Sequence, residues 1–182
     1  MKIVGISGSN KTAKPSLNNT LLETAQELAP QNVEFLVADI SNLPVYSEDY
    51  DQSFPEEATS LKQLIASADA IIIATPEYNR SVPPVLVNAL SWTSRPYPEN
   101  VWEAKPVATM GATGGMIATY GAQDHLRAIL AHLSAHIVTK PGVYVGGAAD
   151  RISEGKVIDQ ATKDQIQALL VSLIDLATIL QK

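Results

Sequence analysis

The sequence predicts an α/β fold, a parallel sheet covered by helices on both faces, and three observations carry that reading. Short apolar runs alternate with segments of helical periodicity from one end of the chain to the other, which is the pattern of repeated βαβ units. The apolar runs are nearly continuous, as strands buried on both faces require. With 182 residues, 46% hydrophobic and 18% charged, the chain has the length of one domain, residues 1–182, and enough apolar surface for one sizeable core.

Each unit can be read in turn. Lys2 to Ser7 is a buried strand, and beyond a polar loop Leu17, Leu21, Ala25 and Leu28 fall on one helical stripe. Val33 to Asp39 is a second strand. A turn-rich segment from Ser41 leads to a helix with Ala58, Leu61, Leu64, Ile65 and Ala68 on one face, and Ser53 and Glu56 have the spacing of a capping box at its start. Ala70 to Thr75 is the most strand-like run. Pro83 and Pro84 suit the first turn of a helix reaching about Thr93, because neither loses a needed donor there. Val107 to Gly111 is a fourth strand, Leu126, Ile129, Leu130 and Leu133 mark a fourth helix, and Val143 to Val145 is a fifth strand. Ile166, Leu169, Leu170, Leu173, Ile174 and Ala177 form the stripe of a closing helix.

Five such units suit the flavodoxin-like sheet order 2-1-3-4-5, a three-layer sandwich whose ligands bind beyond the carboxyl ends of the strands, between strands 1 and 3. The loops leaving strands 1, 3 and 4, residues 8 to 16, 76 to 82 and 111 to 121, should therefore meet at one site.

Charge and composition narrow the function. Nineteen acidic against thirteen basic residues give a net charge of -6, so no overall positive field draws a nucleic acid. No apolar run approaches the roughly 20 residues of a spanning helix, so no membrane insertion is expected. The start MKIVGIS lacks a long apolar signal region, and the chain has no cysteine, which removes disulfides, thiolate metal sites and cysteine nucleophiles. A cytoplasmic enzyme or binding protein is the expectation.

The first loop, Gly8 to Ser16, runs from a buried strand into a helix start and is rich in hydroxyl and amide groups. Backbone N–H groups and the positive end of the helix dipole favour an anion there, and Ser9, Ser16 and Asn18 add donors. Residues 1 to 22 hold Lys2, Lys11 and Lys14 and no acid, which fits a phosphate. Ser16 also suits a plain helix cap, with the lysines solvated. Neither G-x-G-x-x-G nor G-x-x-x-x-G-K-[ST] is present. The second loop, Thr75-Pro76-Glu77-Tyr78-Asn79-Arg80-Ser81-Val82-Pro83-Pro84, is stiffened by prolines at both ends and presents fixed groups to a planar heterocycle, or is an ordinary structured loop. The third, Gly111-Ala112-Thr113-Gly114-Gly115-Met116, lets a ring approach the main chain and its N–H groups, or is a surface turn.

Taken together, these loops resemble the NADPH-dependent FMN reductase family, which includes quinone, azo-dye and chromate reductases. The resemblance covers nearly the whole chain and is strongest at Thr75-Pro76-Glu77-Tyr78-Asn79-x-Ser81-x-Pro83, continuing through Leu86, Asn88-Ala89 and Trp92. It implies that Ser9, Lys11, Ser16, Leu17 and Asn18 serve the FMN phosphate, and that Pro76, Glu77, Tyr78, Asn79, Ser81, Thr113, Gly114 and Gly115 border the flavin ring. It also implies an enzyme in which NADPH, or NADH, reduces bound FMN and the electrons pass to a quinone, free flavin or similar small acceptor. No side-chain acid, base or nucleophile is required. A flavodoxin-type FMN carrier without NAD(P)H turnover is the alternative, and a flavin-free binding module is a third.

This sequence departs from the family pattern. Asn10-Lys11 stands where Leu-Arg is usual, the first loop is longer before Ser16, Pro84 replaces a glycine, Val87 a lysine and Ser91 an aspartate, and Gly121 stands near a position that is often arginine. Lys11 offers a compact charge where an arginine fork would give two directed bonds.

Other residues carry less. His132 and His136 have i, i+4 spacing but no third ligand, with His125 apart. The acidic stretch Glu48, Asp49, Asp51, Glu56, Glu57 reads as a solvated connector. Asp39 ends the second strand, where a Rossmann enzyme binds ribose, but without the glycine fingerprint. Gly5-Ile6-Ser7-Gly8-Ser9 fails the nucleophile-elbow pattern. The stretch Trp92, Tyr97, Trp102 concentrates aromatics, which suits either a subunit interface or the chain's own core. With the resemblance, it points to a homodimer or homotetramer whose boundary borders the flavin.

Overall fold

The structure, a computed structural model, describes residues 1–11 and 15–181. Strand β1 (Lys2–Ser7) leads to helix α1 (Leu17–Leu28), β2 (Glu34–Ala38), α2 (Glu56–Ser67), β3 (Ala70–Ala74), α3 (Pro84–Thr93), β4 (Pro106–Ala112) and α4 (Tyr120–His132). Then follow β5 (His136–Ile137), β6 (Val143–Val145), β7 (Ile152–Ser153), β8 (Lys156–Val157) and α5 (Gln160–Leu180). The main sheet is parallel, in the order β2-β1-β3-β4-β5, with β6 also pairing β4. This is the expected flavodoxin-like order.

Strand β3 shows why the apolar runs are continuous. Ile71 and Ile73 face a core layer shared with Leu61, Ile65, Leu86 and Leu126, whereas Ile72 faces the opposite layer with Leu21, Leu22, Leu169 and Leu170. Successive side chains enter opposite layers, so every position of the strand must be apolar. All five residues of β3 are buried, and each isoleucine removed from water contributes about 1.5–3 kcal/mol.

The structure corrects several sequence readings. Ser53 and Glu56 form no capping box: α2 begins after Pro55 without a side-chain cap, and Glu56 and Glu57 in its first turn act on the helix dipole instead. The fifth strand is split. β5 pairs the start of β4 at Pro106 and Val107, β6 pairs its end at Met110 to Ala112, and Pro141 between them has no N–H to give the ladder. His136 lies in β5, so it shares no helix face with His132. The hairpin β7–β8 turns through Glu154 (φ 49°) and Gly155 (φ 73°), and its two-residue strands are too short to show a period.

The aromatic stretch belongs to the core. Trp92 and Trp102 are 0% and 1% exposed. The Trp92 indole donates to the Pro44 carbonyl at 2.8 Å and sits against Tyr46 and Phe54, while Trp102 donates to Thr93 Oγ1 at 2.9 Å. Neither is available to a subunit interface; only Tyr97 of the three is exposed. Among the described residues, no helix is long and apolar enough to cross a membrane.

Candidate functional site

The loops leaving β1, β3 and β4 lie at one end of three adjacent strands and are tied together by their own backbone. Gly8 N–H donates to the Ala74 carbonyl at 2.8 Å, and Thr75 N–H to the Met110 carbonyl at 2.9 Å. In the first loop, Ser7 Oγ bonds Asn19 Oδ1 at 2.5 Å and accepts from Ser9 N–H at 3.2 Å, and Ser9 Oγ accepts from Lys11 N–H at 3.4 Å. Lys11 is exposed. Lys14, the other loop lysine expected near a phosphate, lies outside the described residues.

Ser16 caps α1, its hydroxyl accepting from Asn19 N–H at 3.4 Å, and is 4% exposed. Leu17 opens the helix, half-buried against the core. Asn18 is buried and spent on protein: its side chain donates to the Ala112 carbonyl and accepts from the Ala112 N–H. Its side chain therefore joins the start of α1 to the end of β4.

The second loop folds on itself. Tyr78 and Ser81 exchange two backbone hydrogen bonds, at 3.1 and 2.9 Å, around Asn79 (φ 51°) and Arg80 (φ 63°). Two consecutive left-handed residues make a primed turn, whose cost for a side chain like arginine is repaid by the bonds on either side. Glu77 holds the turn to the next helix. One carboxylate oxygen accepts from Arg80 Nη1 at 3.1 Å and the other from Ala122 N–H at 3.0 Å, in the first turn of α4. Ser81 Oγ lies 3.1 Å from His125 Nδ1. The approach of α4 is close enough that a Cβ on Gly121 would stand 2.9 Å from the Arg80 carbonyl oxygen; glycine is what the contact admits. Pro76 leads out of β3, and Tyr78 and Asn79 are exposed.

The third loop hangs from the edge of the sheet. Thr113 N–H donates to the Val145 carbonyl at 2.9 Å, Ala148 N–H to the Thr113 carbonyl at 3.2 Å, and Gly115 N–H to Thr113 Oγ1 at 3.4 Å. A Cβ at Gly114 would meet nothing within 4 Å, so the main chain there is open to a flat ligand. Between the second and third loops lies a cleft of about 320 Å³ bounded by Glu77, Arg80, Thr113, Gly115, Met116 and Ile117.

Three roomier hollows lie off these loops or at their margin, one of them, of about 370 Å³, between α1 and β8. One of about 470 Å³ between the end of β2 and α2 is lined by Asp39, Glu56 and Glu57. Another of about 410 Å³ touches Ser7, Ser9, Asp39 and Ser41. Ser41 donates to the Asp39 carboxylate through its hydroxyl and its N–H, which holds that carboxyl below its ordinary range. The 470 Å³ hollow gathers carboxylates, the wrong charge for a phosphate, so volume is a poor guide here.

Of the expected ring-side residues, Glu77, Thr113 and Gly115 line one cleft; Pro76, Tyr78, Asn79 and Ser81 lie on the same second loop and Gly114 on the same third loop, with Ser9, Lys11 and Ser16 on the first loop. Two contacts were not legible in the sequence: that of His125 with Ser81 across sequence, and the Val145–Ala148 backbone that holds the third loop.

Comparisons agree with this geometry. The family description "NADPH-dependent FMN reductase" matches residues 1–150. A 2-hydroxy-1,4-benzoquinone reductase from Burkholderia sp. is 42% identical over 93% of this chain and 92% of its own length. An NAD(P)H-dependent FMN reductase of Pseudomonas aeruginosa is 39% identical over 95% and 93%. Among solved structures, the flavoenzyme NAD(P)H:(acceptor) oxidoreductase FerB from Paracoccus denitrificans superposes with a TM-score of 0.89 at 34% identity, covering 98% of this chain and 97% of that one.

Proposed function

The chain belongs to the NADPH-dependent FMN reductase family, and we propose from that premise that it is an NAD(P)H-dependent oxidoreductase that uses bound FMN to reduce a quinone or a similar small acceptor. The observation that carries this reading is the meeting of three loops with open backbone at the ends of β1, β3 and β4, the second of them bearing the Thr75 to Pro83 signature.

The residues present fit FMN. The Ser16-capped start of α1 directs backbone N–H groups and the positive end of its dipole outward beside Lys11 and Ser9, a fit for a phosphate. Leu17 supports that turn, and Asn18 fixes its distance from the third loop. Pro76, Tyr78, Asn79 and Ser81 on one side and Thr113, Gly114 and Gly115 on the other leave a slot with main-chain donors for a polar ring edge, and Glu77 holds the second loop in register with α4. Bound FMN supplies the two-electron redox chemistry that links NADPH or NADH to the acceptor. Main-chain N–H groups around the slot stabilise negative charge placed there without moving, and the exposed Met116 and Ile117 give a planar substrate an apolar wall.

We infer further that residues 1–182 act as one FMN-binding domain in the cytoplasm, as a homodimer or homotetramer. With the tryptophans in the core, support for association comes from the family resemblance and from the exposed Met116, Ile117 and Tyr120 beside the cleft. The test is direct. FMN added to the protein should perturb the flavin spectrum and raise the melting temperature, and the loaded protein should oxidise NADPH when a quinone is present. FMN binding without such turnover would favour an electron carrier, and no response to FMN would overturn the reading.

A further inference from the structure

Arg80 occupies the variable position of the Thr75 to Pro83 signature, and the family role does not account for it. Arg80 lines the cleft between the second and third loops and is the one basic residue there among the described residues. The protein has otherwise built around it. Arg80 sits in a left-handed conformation, φ 63°, in the turn closed by Tyr78 and Ser81, and its Nη1 is held at 3.1 Å by Glu77, whose carboxylate is anchored in turn by Ala122 N–H. Gly121 leaves the space this arrangement needs.

The pair is polarised. The Glu77 side chain is 7% exposed and that of Arg80 68%, so a molecule entering the cleft meets the cation while the carboxylate stays beneath it. Among the described residues, Glu77 is the sole side-chain hydrogen-bond partner of Arg80, and the remaining guanidinium donors form a fork suited to a delocalised anion. Beside it stand Met116 and Ile117, 88% and 62% exposed. A cation next to an apolar wall fits a flat, apolar molecule that bears one negative charge on conjugated oxygens.

We propose that Arg80 is a specificity-determining residue that selects anionic acceptors of the hydroxyquinone class over neutral quinones, an inference that rests on the flavin-reductase reading above. A hydroxyl conjugated to a quinone carbonyl is a vinylogous carboxylic acid and is ionised at neutral pH. The balanced reaction is quinone plus NAD(P)H plus one proton giving hydroquinone plus NAD(P)⁺. Two electrons move, the nicotinamide is oxidised and the quinone is reduced. The ionised hydroxyquinone takes up one proton more, because its product is a trihydroxyarene whose phenols are neutral at neutral pH, so the charge that Arg80 reads is on the acceptor before reduction and gone after it.

The test uses FMN-loaded protein with 2-hydroxy-1,4-naphthoquinone and 1,4-naphthoquinone as paired acceptors, comparing wild type with Arg80→Asn and Arg80→Lys. Asparagine tolerates the left-handed backbone and removes the charge. The ratio of kcat/KM for the hydroxylated over the parent quinone should fall roughly fivefold in Arg80→Asn, the scale of one exposed ion pair, and remain largely intact in Arg80→Lys. Added salt should lower the ratio in wild type and leave it flat in Arg80→Asn. Calorimetric binding of the hydroxyquinone to the oxidised, loaded protein should weaken by the same factor. Comparing ratios cancels the different potentials of the two quinones. An unchanged ratio and unchanged binding would overturn the proposal, as would a loss confined to NADPH relative to NADH, which would assign Arg80 to the cofactor's extra phosphate. If neither quinone is turned over, the enzymatic reading fails, while the calorimetric comparison still decides the role of Arg80.

Discussion

Asn18 and Ala112 are 94 residues apart in sequence and bond each other twice, the Asn18 side-chain amide donating to the Ala112 carbonyl at 3.1 Å and accepting from its N–H at 2.9 Å. Asparagine presents a donor and an acceptor in the geometry of a backbone amide, so it prolongs the sheet's pairing from α1 onto the end of β4. The start of α1 and the third loop are thereby fixed to each other by one buried side chain.

Asn18→Ala should therefore destabilise the protein by about 2–3 kcal/mol, because it strands a buried N–H and a buried carbonyl. Asn18→Asp should be at least as damaging, since it sets a carboxylate oxygen against the Ala112 carbonyl. Urea unfolding of the FMN-free protein measures both, and a wild-type midpoint for Asn18→Ala would show that the double bond contributes nothing.

Ser16 combines two roles that ligand choice separates. Its loss as the cap of α1 should lower stability by about 1 kcal/mol. If the capped helix start also grips the FMN phosphate, Ser16→Ala should weaken FMN binding far more than riboflavin binding, since riboflavin lacks the phosphate. Equal losses would leave only the cap. FMN affinity should also fall with added salt, as Lys11 contributes a screened charge.

Two carboxylates predict how stability responds to acid. Asp159 caps α5, accepting from the Thr162 hydroxyl at 2.5 Å and the Thr162 N–H at 2.9 Å, and these bonds hold its carboxyl below the ordinary range. Ser41 does the same for Asp39. A carboxyl whose folded value is depressed contributes stability above its unfolded value and loses it as pH falls through the folded one. The melting temperature should accordingly decline across and below the ordinary carboxylate range. Asp159→Asn keeps an acceptor but does not titrate, so the gap between wild type and this variant, widest near neutrality, should close in acid. A gap that stays constant with pH would refute the assignment.

What the sequence could reveal follows from the range of each signal. The strands and their order were legible because the central runs are buried on both faces: every residue of Ala70–Ala74 is constrained by two helix layers at once. The site loops were legible because Thr75 to Pro83 is contiguous. The split between β5 and β6 was not, since the interruption at Pro141 reads as a loop before a single strand. The Ser81–His125 contact and the Asn18–Ala112 pair were hidden for a different reason: each depends on a partner brought close by the fold, and nothing in local spacing records it. Trp92 and Trp102 show the same limit, because an aromatic cluster looks alike whether it covers its own core or a partner's.

Trp102 tests that distinction. Its indole is 1% exposed, donates to Thr93 Oγ1 at 2.9 Å, and lies in the layer with Leu90, Val107 and Leu130, while the backbone N–H of Trp102 is held by Asn100 Oδ1 at 3.1 Å. Trp102→Ala should thus cost about 3–5 kcal/mol through the cavity it leaves. Trp102→Phe, which keeps most of the bulk and loses the buried hydrogen bond, should cost about 1–3 kcal/mol. Because the contacts lie within one chain, both losses should be the same at protein concentrations differing by about tenfold, whereas a residue at a subunit boundary would make its loss concentration-dependent by mass action. Urea unfolding at two concentrations reads the difference, and a Trp102→Ala loss that grows on dilution would return the indole to the interface.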